Sequence, residues 1–167
     1  VASVNFNITL IETQPPEALA KQWPTVAGAA NRAAGDLYAT TLLPQRFKPG
    51  NREKFGFQPR KPDYEQRKLR YAAYGIAQEG GVADLVFRGT LRDRILSSGV
   101  VFADQHQAIV SMVGTSYVNI GRAGSPDKAH EIALLVESEL RPVQETQERV
   151  VQQQIAQIED TKTTRSR

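Results

Sequence analysis

The sequence predicts an α+β domain: a long N-terminal helix packed on a small antiparallel sheet, an extended basic-aromatic arm, and a C-terminal helix. Three observations lead there. Residues 3–11 alternate apolar with polar. Residues 16–43 place apolar groups at helical spacing. Residues 99–120 hold three short apolar runs separated by turn residues. The chain reads as one domain over 1–159, with an inserted arm at 45–82 and a flexible tail at 160–167.

In the first run, Val4, Phe6, Ile8 and Leu10 alternate with Ser3, Asn5, Asn7 and Thr9, the period of a half-buried strand. Pro15-Pro16 ends it. Next, Leu19, Trp23, Val26/Ala27, Ala30, Ala33/Ala34, Leu37/Tyr38 and Leu42 recur with the helical period. A proline inside a helix loses a hydrogen bond and clashes one turn back, but the first helical position tolerates it. Pro24 therefore predicts a short helix at 16–22, a break, and a long helix from about 24 to 43 that Pro44 terminates.

Pro62-Asp63-Tyr64-Glu65 has the chemistry of a helix start, with acids at the positive end of the dipole and Arg67, Lys68 and Arg70 towards the other. A helix over 62–74, stopped by Gly75, follows, and Gly80-Gly81 is a break. Thr90–Leu96 makes a short helix. Gly99–Ala103, Gln107–Val113 and Ser116–Ile120 are strands, with Asp104-Gln105 turning between the first two. Gly124-Ser125-Pro126-Asp127 is a loop. Glu131–Val136 is too short and apolar for its period to decide, and extended structure is favoured. A last helix from about 141 carries the narrow stripe Val143, Val150/Val151, Ile155 and Ile158.

Composition narrows the function. The chain has 167 residues, 40% hydrophobic and 23% charged, enough to bury a core. No apolar run approaches the ~20 residues of a membrane span, and no basic-then-apolar leader pattern opens the chain. The absence of cysteine excludes disulfides and thiolate metal sites. His106 and His130 have Asp104 and Glu131 near them in sequence, yet ligand sets need several residues at fixed spacing. No H-E-x-x-H, G-x-S-x-G or Walker A pattern occurs. Asp63 and Glu65 serve a helix start better than a paired-carboxylate site. The sequence therefore points away from an enzyme: no catalytic residue, metal ligand or cofactor is expected.

The arm carries the strongest signal. Arg46–Arg70 holds nine Lys/Arg against three Asp/Glu, an excess of six where the whole chain has +3. Phe47, Phe55, Phe57 and Tyr64 and three prolines are threaded among the charges. Three readings stand: phosphates contacted by cations with bases stacked on the aromatics, a protein interface anchored by Arg and aromatics, or a solvated loop.

The order of motifs resembles a known family. Arg46-Phe47 is followed by Phe55-Gly56-Phe57, Pro59-Arg60, Tyr64 with Arg67-Lys68, and Leu85-Val86-Phe87-Arg88-Gly89-Thr90-Leu91-Arg92 with Ile95. This series is similar to that of the virion morphogenesis, or tail-completion, family of long-tailed bacteriophages, over residues 46–96. Beyond it the match loosens: Asn119-Ile120-Gly121 lacks the His that the family often has there, and the closing helix agrees in position only.

The resemblance implies a structural protein of the phage neck, at the head–tail junction. It would form a homo-oligomeric ring, six- or twelvefold, that completes the tail or joins it to the head and lets double-stranded DNA pass. Its partners would be copies of itself and other neck, connector or tail-tube proteins, with no membrane and no cofactor. It would be assembled in the bacterial host cytoplasm and reside in the virion. The implied subunit interface comprises Arg46, Phe47, Phe55, Phe57, Arg60, Tyr64, Arg67, Lys68, Phe87, Leu91 and Arg92. The cations left to face DNA in the channel are Lys48, Arg52, Lys54, Lys61 and Arg70. The alternative is a nucleic-acid-binding protein that uses the basic arm 46–70.

Overall fold

The computed structural model describes residues 2–6, 17–71, 90–97, 99–112 and 128–165. It is mostly helical, with one small antiparallel sheet. In chain order the elements are β1 (Ala2–Phe6), α1 (Glu17–Leu37), α2 (Arg52–Phe55), α3 (Pro62–Tyr71), α4 (Thr90–Leu96), β2 (Gly99–Ala103), β3 (Ala108–Met112), α5 (Lys128–Ala133) and α6 (Glu137–Arg165). A single π turn (Tyr38–Leu42) and a 3-10 stretch (Leu43–Phe47) continue α1.

The sheet has the order β1-β3-β2, antiparallel throughout. Val101 is an extra residue in β2, a bulge between the pairs Val100–Val110 and Phe102–Ile109. Asp104 closes the β2–β3 turn, its Oδ1 accepting from the backbone N–H of His106 and Gln107. On β3, Ala108, Val110 and Met112 are buried at every second position and face α1. Contact there is close: a Cβ on Gly35 would stand 2.6 Å from Val100 Cγ2.

Helices α1 and α6 pack side by side. Gln147 of α6 donates to Asn31 of α1, whose amide in turn donates to the Asp104 carbonyl 2.9 Å away. This buried chain of bonds fixes helix to helix and both to the β2–β3 turn. Past the end of α1, Arg46 reaches Glu139 in the first turn of α6, so from Asn31–Gln147 to Arg46–Glu139 rising numbers on one side meet falling numbers on the other. The two helices are antiparallel.

Three prolines sit in settings that the sequence reading did not give them. There is no break at Pro24: α1 runs unbroken from Glu17 to Leu37 with Pro24 inside it. Pro24 and Ala20 are both exposed, so water can satisfy the Ala20 carbonyl that loses its donor. The α-helix ends at Leu37, and Pro44 lies inside the 3-10 stretch instead of terminating a helix at 43. The last helix, expected from about 141, begins at Glu137 and has Pro142 inside it. Glu139, three residues past Val136, accepts the Val136 N–H at 3.2 Å, half of a capping box. The acids Glu137 and Glu139 also suit the positive end of the helix dipole.

Residues 131–136 are helical to Ala133, where extended structure was favoured, and without regular structure from Leu134 to Val136. Helix α6 continues to Arg165, so the tail expected from 160 is helical up to that residue. The extents of α3 from Pro62, of α4 and of β2 agree with the sequence reading. Its strand at 116–120, the loop at 124–127, Gly75, Gly80-Gly81 and residues 72–74 of its arm helix lie outside the described residues, as do residues 7–11 of its first strand.

A buried Arg–Glu clasp in the basic-aromatic segment

The segment from Arg46 to Arg70 is not an extended arm. It is two short helices folded back on the chain's own core. Helix α2 ends in a Schellman turn: Gly56 is left-handed (φ +61°), its N–H bonds the Glu53 carbonyl, and the Phe57 N–H bonds that of Arg52 at 3.0 Å. That reversal places Phe55 and Phe57 together in the core, their rings stacked with centroids 5.6 Å apart. The Phe-Gly-Phe sequence is thus explained locally: a glycine that reverses the chain between two core aromatics. Pro62 then opens α3, and the Lys61 carbonyl accepts from the N–H of Tyr64 and Glu65.

Two buried ion pairs hold this unit to the C-terminal helices. Arg46 is fully buried and makes a bidentate pair with Glu139, both contacts 2.6 Å, while its Nη2 also donates to the Leu134 carbonyl. Its guanidinium carbon lies 4.8 Å from the ring centroid of Phe55 and 5.2 Å from that of Tyr38. Arg60 makes a second bidentate pair with Glu131, at 2.6 and 3.1 Å, and the Gln58 N–H adds a bond to the same carboxylate. The Nε atoms of both arginines are buried without a hydrogen-bond partner. The two carboxylates balance the buried guanidinium charges and hold the clasp closed.

Tyr38 completes the cluster. Its hydroxyl donates to the Ile132 carbonyl at 2.8 Å. Burial pushes its pKa up to about 12; Arg46 opposes the rise and Glu139 adds to it.

The geometry redistributes the residues that the resemblance assigned to a subunit interface. Arg46, Phe47, Phe55, Phe57 and Arg60 are buried inside their own chain, so they are corrected from interface anchors to core and clasp residues. The aromatics sit where apolar surface is best removed from water, and the charges of the two arginines are already paired with Glu139 and Glu131. Lys68 is also buried, its ammonium 5.3 Å from the Tyr64 ring centroid. Tyr64 is half-buried, Arg67 is exposed, and half-buried Arg92 bonds the neighbouring Asp93. Leu91 lies in α4 with its side chain outside the described ones, and Phe87 is outside the described residues.

Of the cations assigned to DNA, Lys48, Lys54, Lys61 and Arg70 are exposed. Arg52 instead pairs with Glu65 at 2.6 Å, a half-exposed contact. The sequence reading missed Glu131, Glu139, Tyr38, Asn31 and Gln147. The available signal was two acids flanking the apolar run Ile132–Val136, a place where a carboxylate needs a buried partner.

Among the described residues, no group of three or more His, Cys, Asp or Glu could hold a metal ion, and no helix is long and apolar enough to cross a membrane. No family model, no curated protein and no solved structure matches the chain.

Two predictions follow from the clasp. Glu139→Ala strands a buried guanidinium and lowers the unfolding free energy by about 3–5 kcal/mol, whereas the apolar pair Arg46→Met with Glu139→Leu restores most of that loss; urea titration of both variants measures this. Tyr38 is neutral when folded and ionises near 10 when unfolded. Its contribution is therefore complete below pH 10 and is lost as pH rises towards 12, at roughly 1.4 kcal/mol per pH unit. Tyr38→Phe costs about 1–3 kcal/mol at neutral pH through the stranded Ile132 carbonyl, and it flattens that alkaline slope in a stability–pH profile.

Proposed function

We propose that this chain is a structural virion protein of the tailed-phage neck, a subunit that assembles into a ring at the head–tail junction. The observation that supports this best is the role of the motif residues. Arg46-Phe47, Phe55-Gly56-Phe57 and Pro59-Arg60, the residues of the family resemblance, interlock as one architectural unit. Their side chains close the fold and leave solvent-facing chemistry to other positions. Shared residues of this kind preserve a shape, which is what a ring subunit must reproduce in every copy. In this reading the segment is the subunit's rigid shoulder, and the ring contacts lie elsewhere on its surface.

A second reading has its own support. Five of the nine cations between Arg46 and Arg70 are exposed: Lys48, Lys54, Lys61, Arg67 and Arg70. Phe47, Phe55 and Phe57 are buried, which removes a platform for stacking bases. A nucleic-acid contact would then be one with phosphates, which suits duplex DNA moving past without sequence-specific grip.

Electron-microscope class averages of the purified protein test the first reading: closed rings of six- or twelvefold symmetry are expected, and a compact monomer at every concentration contradicts it. The second predicts duplex DNA retardation at low salt, with a slope of log affinity on log salt no steeper than about −4.5 for five phosphates. Absence of retardation at low salt removes it.

A further inference from the structure

With Phe47, Phe55 and Phe57 committed to the chain's own core, a ring needs another apolar contact surface. Helices α1 and α6 supply one. Beyond the Asn31–Gln147 bond, the antiparallel pair runs on towards the start of α1 and the end of α6. No side chain there beyond Val26 and Gln147 is buried among the described residues. Leu19 and Trp23 on α1, and Val150, Val151, Ile155 and Ile158 on α6, are all half-buried. At about 1.5 Å per residue, α6 extends roughly 27 Å past Gln147. Two helices share one seam and leave both flanks of it partly open; a third or fourth helix is what closes such a stripe.

The chemistry of the surface says what covers it. The α6 run Val150–Ile158 (VVQQQIAQI) contains no charged residue, and Ala18–Asn31 on α1 contains only Lys21. Nucleic acid would require cations here, and a strongly charged protein partner would require the opposite charge. A face without charge meets its own copy with no like-charge penalty, and depletion of charge is the mark of an interface centre. Leu69, Leu96, Leu134 and Leu140 are exposed singly, and the adjacent exposed pair Val101 and Phe102 stands at the β2 bulge, which interrupts the edge against strand addition.

We infer that copies of this chain associate through the distal half of the α1–α6 pair, a second copy's helices covering the Leu19/Trp23–Ile155/Ile158 seam. The inference rests on the ring-forming reading and names its contact surface.

Sedimentation equilibrium with Trp23 fluorescence, the chain's single tryptophan, tests it. Wild type is expected to self-associate, with Trp23 emission shifting to the blue across the association range. The double variant Gln154→Lys with Gln157→Lys adds charge on the seam side of α6: at about 100° per residue half-buried Gln154 falls between Val150 and Ile158, and exposed Gln157 lies beside Val150. It is expected to keep its helicity and to associate more than about tenfold more weakly, because each lysine would be forced against an apolar neighbour. A folded variant of wild-type size overturns the inference and leaves the ring reading standing. A wild type that stays monomeric overturns both. Should the variant lose helicity, wild type alone decides: Trp23 emission that does not change across the association range overturns the inference.

Discussion

The Arg46 guanidinium lies where three parts of the chain meet. Glu139 takes it from the first turn of α6, the Leu134 carbonyl from the α5–α6 connection, and the faces of Tyr38 and Phe55 enclose it. The Glu139 carboxylate also accepts the Val136 N–H that precedes α6. One ion pair therefore sets where α6 begins, where the chain leaves the end of α1, and how the Phe55–Phe57 unit sits. A charge pair so deep contributes little net stability against an apolar alternative. What it contributes is specificity: a rearrangement that separates Arg46 from Glu139 leaves two buried charges unpaired. Arg60 and Glu131 repeat the arrangement between α2 and α3, so the two pairs clip the chain on either side of α2.

That constraint explains what was legible in the sequence. Elements decided by local chemistry read correctly: Pro62 and two acids open α3, Leu91 and Ile95 lie one turn apart in α4, and β2 is bounded as its apolar run suggests. Elements decided by distant partners did not. The start of α6 was masked by Pro142, because the residue that fixes it, Glu139, is positioned by an arginine more than ninety residues earlier. Pro24 implied a break that packing of α1 along β3 and α6 overrides. The aromatic segment suggested an external surface because its charges are dense, yet Arg46 and Arg60 are the charges that turn inward. Periodicity cannot reveal a cation neutralised across the fold.

Folding the segment inward changes the functional argument. Aromatics that might have gripped a neighbour or stacked on bases are spent on the core, and the outward chemistry that remains separates into two kinds. One is a set of five exposed cations on and around α2 and α3. The other is the uncharged, half-covered seam between the far ends of α1 and α6. In the proposed ring, the seam would meet neighbouring copies and the dispersed cations would face a polyanion that must slide. The clasp keeps the two surfaces in fixed relation, since it ties the cation-bearing segment to the helix that carries the seam.

Hydrogen–deuterium exchange on Glu131→Gln, compared with wild type, tests most directly whether the clasp holds the segment in its own chain. The account predicts that amides of residues 52–71 lose protection together, while the shared part of α1 and α6 around Asn31 and Gln147 keeps its own. Unchanged exchange across 52–71 would contradict it.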